Sequence, residues 1–496
     1  MAGAEKTFQK STLDKDLAKV AQLERASGVV SRGYAGQGVS LVFLVIVGIV
    51  AAVLTEGFSG SVFIVAAAVL GGYMALNIGA NDVANNVGPA VGANAMSMPL
   101  ALIIAAIFES AGALIAGGDV VGTISKGIVD PGAMASAEQF IWAMMAALVS
   151  AALWVNLATW IGAPVSTTHS VVGGVVGAGI AAAGFGAVDW SKMYQIAASW
   201  LVSPVLGGII AALFLWFVKH QIIYREDKIA AARKWVPVLI AVMAGSFATY
   251  LAIKGLRQVV RIEMSTALLI GLGTAAVFFA ISYPLIRRQS ERMENRNQSL
   301  RRLFTVPLIF SAALLSFAHG ANDVANAVGP LAAIVHAVEA GEVAARVHIP
   351  FWVMVIGAFG ISFGLLLFGP KLIRMVGQQI TKLNPMRAYC VALAAAITVI
   401  LASWLGLPVS STHIAVGAVF GVGFFREFYT RTSKRRLEMA GPNAGKPIER
   451  LPPGEISYRR LVRRAHLLTI AAAWVITVPA AAILSAAVYY ALSLVL

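Results

Sequence analysis

The sequence predicts an all-α polytopic membrane protein whose halves are inverted-topology repeats, with re-entrant or broken helices at the substrate site. Three observations predict it. Of 496 residues, 59% are hydrophobic and only 12% charged, with a mean hydropathy of +0.80. A soluble domain carries about a quarter charged residues, whereas here apolar stretches of about 18 residues or more, long enough to cross a bilayer, recur along the whole length. Next, one acidic, amide-rich phrase is written twice: GANDVANNVGPAVG at 79–92 and GANDVANAVGPLAA at 320–333, identical at ten of fourteen positions. Finally, GAPVSTTHSVVGGVVGAG at 162–179 returns as GLPVSSTHIAVGAVFGVG at 406–423, with eleven of eighteen positions matching. The two pairs lie at offsets of 241 and 244, so the halves are collinear.

The elements follow in order. Residues 1–37 form a polar tail of mixed charge with no cleavage site, in which Leu13, Leu17 and Val20 could line a short surface helix. Residues 38–56 make an extra N-terminal transmembrane helix. The first repeat covers 61–217, with apolar segments near 61–78, 98–117, 138–160, 164–184 and 191–217. Residues 218–302 link the halves through segments near 235–253 and 264–286 and an arginine-rich loop. The second repeat covers 303–494, with segments near 303–319, 350–370, 386–405, 408–424 and 466–494. It contains a basic loop, 425–465, with Pro442, Pro447, Pro452 and Pro453. A weaker match pairs Trp200 and Pro204 with Trp474 and Pro479.

Parity sets the topology. Seven apolar segments separate the starts of the two repeats, and an odd number reverses orientation. With the N-terminus cytoplasmic, 219–234, 287–302, 371–387 and 425–465 fall inside, and all are basic. The C-terminus is then outside. Lys254, Arg257 and Arg261 disobey, because they fall outside. The expected location is the plasma membrane, or the inner membrane in a bacterium. The net charge of +15 reflects this loop bias rather than nucleic-acid binding. The single cysteine, Cys390, forms no intramolecular disulfide and reads as a small buried hydrophobe.

Chemistry concentrates in the two phrases. Asp82 and Asp323 sit in apolar sequence, where an ionisable group costs roughly 2.5–3.5 kcal/mol and is functional by default. Asn81, Asn85, Asn322 and Asn326 add neutral oxygen, and Asp82–Asn85 and Asp323–Asn326 stand three apart, on one helix face. Such hard oxygen ligands suit a small cation. Helix capping is the plainer alternative. Gly88-Pro89 and Gly329-Pro330 are expected to end or break each helix soon afterwards. In the second phrase, a proline is expected to open a helix carrying Ser166, Thr167 and Thr168, mirrored by Ser410, Ser411 and Thr412. Free N–H groups, the helix dipole and hydroxyl donors together favour a tetrahedral oxyanion. Ordinary capping remains open here too. His169 and His413 follow; each is either a structural hydrogen-bonder or a proton or substrate group. His319 precedes only the second GANDVAN, Ile78 standing at the first. Glu109 lies inside a span with Ile361 as its repeat partner, so pairing and cation coupling are both open. No P-loop, HExxH or Rossmann glycine pattern occurs, and ATP-driven pumping has no support.

The paired GANDVAN and paired P-V-S-[ST]-T-H resemble the inorganic phosphate transporter (PiT, Pho-4) family over about 61–494. The resemblance implies low-affinity uptake of inorganic phosphate coupled to sodium or protons, in some bacterial members as a neutral metal–phosphate complex. It implies coupling cations at Asn81, Asp82, Asn85, Asn322, Asp323 and Asn326. It implies phosphate at Ser166, Thr167, Thr168, Ser410, Ser411 and Thr412. No cofactor or metal beyond the coupling cation is implied, and the partners are phosphate and membrane lipid, with homo-oligomerisation open. A sulfate symporter, an anion channel and, least of all, an intramembrane hydrolase built on Ser166 and His169 are the rivals.

Overall fold

The computed structural model of the protein describes residues 35–161, 165–255, 263–340, 349–379, 383–433 and 464–494. The N-terminal tail and most of the basic loop, with Arg257 and Arg261, lie outside the described residues. Each of the predicted apolar segments is a helix. They are α1 (Ala35–Leu54), α2 (Ser61–Gly92), α3 (Met98–Ala116), α5 (Ala137–Ile161), α6 (Thr167–Ala183), α7 (Trp190–Val218), α8 (Lys228–Lys254) and α9 (Met264–Ser290). The second half supplies α11 (Thr305–Ala340), α12 (Phe351–Gln379), α13 (Pro385–Trp404), α14 (Ser411–Thr432) and α15 (Arg464–Ser493). Two short helices, α4 (Gly118–Lys126) and α10 (Asn297–Leu303), were not separated by the hydropathy pattern. Among the described residues, 11 helices are long and apolar enough to cross a membrane, and α6 is a shorter apolar helix.

Burial sorts these helices. In α11, 89% of the apolar window is buried, against 11% in α9, although both read as spans. A helix that is apolar all round can face either lipid or protein; hydropathy alone does not separate the two. The GANDVAN stretches of α2 and α11, residues 79–85 and 320–326, are buried throughout.

The two proline pairs behave differently: α2 ends three residues after Pro89, as expected, whereas α11 runs on ten residues past Pro330. Pro89 and Pro330 lie inside continuous helices, which run on to Gly92 and Ala340. Proline removes one N–H, which the carbonyls of Asn85 and Asn326, four residues earlier, would otherwise have received; surrounding helices hold the chain straight enough to continue. The second phrase also departs from expectation. Pro408 does not open α14; Ser410 caps it, two residues later. Ser166 caps α6 in the same way, while Pro164 lies outside the described residues.

The halves interlock rather than sit side by side. Helix α2 packs on α12, and α11 packs on α3; α6 packs on α15, and α14 on α7. Glycines make the crossings close. A Cβ at Gly79 would collide with the Ile361 carbonyl, and one at the matching Gly320 with the Glu109 carbonyl. Only a residue without a side chain fits there, and the backbones of the two halves touch at equivalent places. Helices α8 and α9 pair with each other, and α1 lies against α2 and α12, with Leu44 and Phe43 beside Gly72 and the Phe43 ring 5.3 Å from Phe363. An isolated antiparallel bridge, Val129–Val188, ties the segment after α4 to the start of α7.

Candidate functional site

The extended segments before α6 and α14 end at Ser166 and Ser410, whose Oγ atoms accept the N–H of His169 (3.1 Å) and His413 (3.3 Å). Capping turns the following hydroxyls toward the middle of α2 and α11. There Thr167 Oγ1 donates to Asp82 Oδ2 at 2.8 Å, and Thr412 Oγ1 donates to Asp82 Oδ1 at 3.0 Å. Ser411 Oγ donates to Asp323 Oδ2 at 2.9 Å. Asp82 therefore takes one donor from each half. The asparagines cross as well: Asn85 Nδ2 donates to Thr412 at 2.8 Å, and Asn326 Nδ2 to Thr168 at 3.1 Å. Thr168 in turn donates to the Val409 carbonyl at 2.9 Å. All of these side chains are buried.

Asn81 and Asn322 do a different job. Asn322 donates to Ser403 Oγ (3.0 Å) and to the Leu407 carbonyl (3.2 Å), and accepts from the Val409 N–H (3.3 Å). It thereby holds the non-helical stretch before α14. Asn81 contacts Thr159 Oγ1 at 2.9 Å, and with its nitrogen turned inward it donates to the Val165 carbonyl and Asp82 Oδ1, both at 3.2 Å. Thr159 and Ser403 are equivalent at the 244-residue offset, so each asparagine ties its helix to the end of the preceding helix and the residues just before α6 or α14 in its own half. Thus the twelve residues named from the two phrases do converge, but Asn81 and Asn322 face the backbone just before α6 and α14.

Glu109, named from the sequence for pairing or cation coupling, joins the cluster through two residues the sequence reading did not assign to the site, His319 and Asn86. His319 Nε2 lies 2.9 Å from Asp323 Oδ2 and 3.9 Å from Asp82 Oδ2, and its Nδ1 lies 3.3 Å from Glu109 Oε2. Asn86 Nδ2 donates to Glu109 Oε1 at 2.8 Å. The result is a buried polar string, Asn86–Glu109–His319–Asp323. Its counterparts in the other half are Ala327, Ile361 and Ile78. The signal was available as mismatch: at three positions the repeats exchange a polar residue for an apolar one, and the three polar residues meet.

The histidines of the second phrase lie on the far side of the helix starts. Their rings meet edge to face, centroids 4.4 Å apart, and the His169 ring packs at a tilt against Trp200, centroids 3.9 Å apart. Both line an apolar cleft of about 960 Å³ between α7, α14 and α15.

What could this arrangement hold? Asp323 Oδ1 and Asn326 Oδ1 are buried and have no hydrogen-bond partner among the described residues. Unpartnered buried oxygens are costly, and oxygen pairs of this kind are what a hard cation takes. Single ligand atoms of Asp82, His319 and Asp323 also lie within 4.8 Å of one another, close enough for one ion.

A model of the phosphate transporter family matches residues 78–485. Two Helicobacter pylori proteins, each described as "Putative phosphate permease", are 43% identical over 97% of this chain and 99% of their own. A protein of Pyrococcus abyssi with the same description is 37% identical over 72% of this chain and 88% of its own. Among solved structures, "The sodium-dependent phosphate transporter" superposes with a TM-score of 0.76 at 34% identity, covering 88% of this chain and all of that one.

Proposed function

The chain belongs to the phosphate transporter family, and we propose that it imports inorganic phosphate by symport with a cation, sodium or proton. It is a multi-pass membrane transporter, not an enzyme. The observation that carries the reading is the meeting of two hydroxyl-bearing helix starts, one from each half, on two buried aspartates.

The roles follow from charge. Phosphate is largely divalent near neutral pH, and Asp82 and Asp323 bring two more negative charges to the same buried volume. Alone, the site repels its substrate; with two or more cations bound, the field is neutralised. Cation binding at Asp82, Asp323, Asn85 and Asn326 also withdraws the carboxylates from Thr167, Ser411 and Thr412. Those hydroxyls then turn to the oxyanion. The cap hydroxyls of Ser166 and Ser410 accept from backbone and keep their own protons to donate. The starts of α6 and α14 add favourable dipoles. Coupling is thus obligatory, because the same donors serve the carboxylates or the phosphate. Glu109 and His319 hold Asp323 in place and bring a proton-carrying pair to its edge. The group of Asp82, His319 and Asp323 also suits a divalent metal travelling with phosphate.

The repeats, 61–217 and 303–494, are read as inverted, with α5–α6 and α13–α14 as hairpins entering from opposite sides. The reciprocal packing of α2 on α12 and α11 on α3 supports this, as does the basic character of the loops placed inside. Rocking of one part against another around the central site would give alternating access. Radiolabelled phosphate uptake into proteoliposomes, with sodium and proton gradients imposed separately, tests the reading. Concentrative uptake driven by one of them is expected; uptake that never exceeds equilibration would make the protein a passive channel.

A further inference from the structure

Two cavities flank the site, and they are built from matched residues. The larger, about 720 Å³, is lined by α12 from Leu367 to Lys371, by Trp160, and by α1. The smaller, about 270 Å³, is lined by the α3–α4 junction from Ile115 to Asp119, by Trp404, and by α8. An offset of 252 carries Ile115, Ala116, Gly118 and Asp119 onto Leu367, Phe368, Pro370 and Lys371. The same offset relates Gly112 to Gly364, which meet the equivalent carbonyls of Phe317 and Leu76. The hairpin offset of 244 carries Trp160 onto Trp404. The two cavities are therefore the same feature seen from the two halves.

Both approach the site. The larger reaches Ala80 and Thr159, beside Asn81. The smaller ends at Trp404, just before Gly406 and Leu407, whose carbonyls accept from Thr123 at 2.7 Å and Asn322 at 3.2 Å. They differ in charge. In the larger, the position matched to Asp119 is Lys371, and no carboxylate lines the cavity among the described residues. In the smaller, Asp119 is ion-paired with Lys254 of α8, across the cavity. The ammonium is the inner partner, with 17% of its side chain exposed against 50% for Asp119.

We propose that the smaller cavity is the outer mouth of the access path, and that Lys254 is its anion-receiving residue, with Asp119 as the internal anion that phosphate displaces. The proposal rests on the phosphate reading and the orientation given above. A phosphate dianion presents more charge and more acceptor oxygens to one ammonium than a carboxylate does. Asp119, half exposed, returns to water at little cost, so the exchange opens the mouth as it binds the substrate. A cation at a mouth also raises the local anion concentration. Lys254 is one of the residues that broke the positive-inside pattern, and recruitment of an anion is a reason for a cation to stand there.

The test uses the full-length protein and inorganic phosphate. Lys254→Met should raise the half-saturation for external phosphate about three- to tenfold, between the effects of an exposed ion pair and a buried charged hydrogen bond. Asp119→Asn should lower it, because Lys254 no longer has a competing anion. Lys254→Arg should stay near wild type. An ion pair that merely supports the fold moves Lys254→Met and Asp119→Asn in the same direction, and that result overturns the proposal. Lys254→Cys in a Cys390→Ser background should react with an impermeant thiol reagent added outside; reaction from the inner side alone overturns the outer placement. Wild-type uptake with unshifted variants removes only this proposal, whereas no phosphate uptake by wild type removes the functional reading itself.

Discussion

Replacing Thr168 by valine deletes one hydroxyl and nearly conserves shape. That hydroxyl donates to the Val409 carbonyl at 2.9 Å and accepts from Asn326 at 3.1 Å. Both partners are neutral. A hydrogen bond between neutral groups contributes about 0.5–1.5 kcal/mol, and one to a charged group about 1.5–3 kcal/mol. When phosphate binds, the Val409 bond is exchanged for one to a phosphate oxygen. The substitution then destabilises the loaded state by roughly 1–1.5 kcal/mol more than the empty one. That difference is about a five- to tenfold rise in half-saturation for phosphate. Thr412→Val is the contrast. Its hydroxyl donates to Asp82 at 3.0 Å, so one charged partner is exchanged for another, and the half-saturation should move less than in Thr168→Val. Neither threonine is a helix cap, because Ser166 and Ser410 fill those positions. Lost capping therefore does not confound the measurement. The assay is the concentration dependence of radiolabelled phosphate uptake by purified, reconstituted variants, normalised to folded protein. Normal folded yield with unchanged half-saturation in Thr168→Val would refute the placement of this threonine at the anion.

Asp82→Asn and Asp323→Asn should each nearly abolish gradient-driven uptake while the protein still inserts, since a desolvated cation loses its carboxylate; wild-type concentrative uptake in both would remove the cation site. Gly320→Ala should cost about 1–3 kcal/mol or more, because its Cβ meets the Glu109 backbone, whereas Gly273→Ala, with nothing within 4 Å, should be neutral or slightly stabilising. Thermal unfolding in detergent compares the two, and equal shifts would contradict the close crossing. A cysteine at Asn443, in a Cys390→Ser background, should resist impermeant thiol reagents in intact cells; labelling without permeabilisation would reverse the assigned orientation.

The class, the helices and most of the candidate site are legible in the sequence. Bilayer thickness fixes the length of an apolar span, so the predicted segments could be read directly as helices. Duplication made the site legible, because a buried aspartate is too costly to recur at Asp82 and Asp323 by chance. Helix ends were less legible. α2 ends three residues after Pro89, but within a packed bundle α11 runs on ten residues past Pro330. Which residues share the candidate site depends on how the helices pack. His319 stands four residues before Asp323, and nothing local says that Glu109 from another helix lies at its other nitrogen. Nor does the sequence say that Thr412 of one half serves Asp82 of the other. Those contacts come from the interlocked crossing of the halves at Gly79 and Gly320. There the absence of a side chain lets two backbones touch, and the crossing at Gly320 brings Glu109 beside His319.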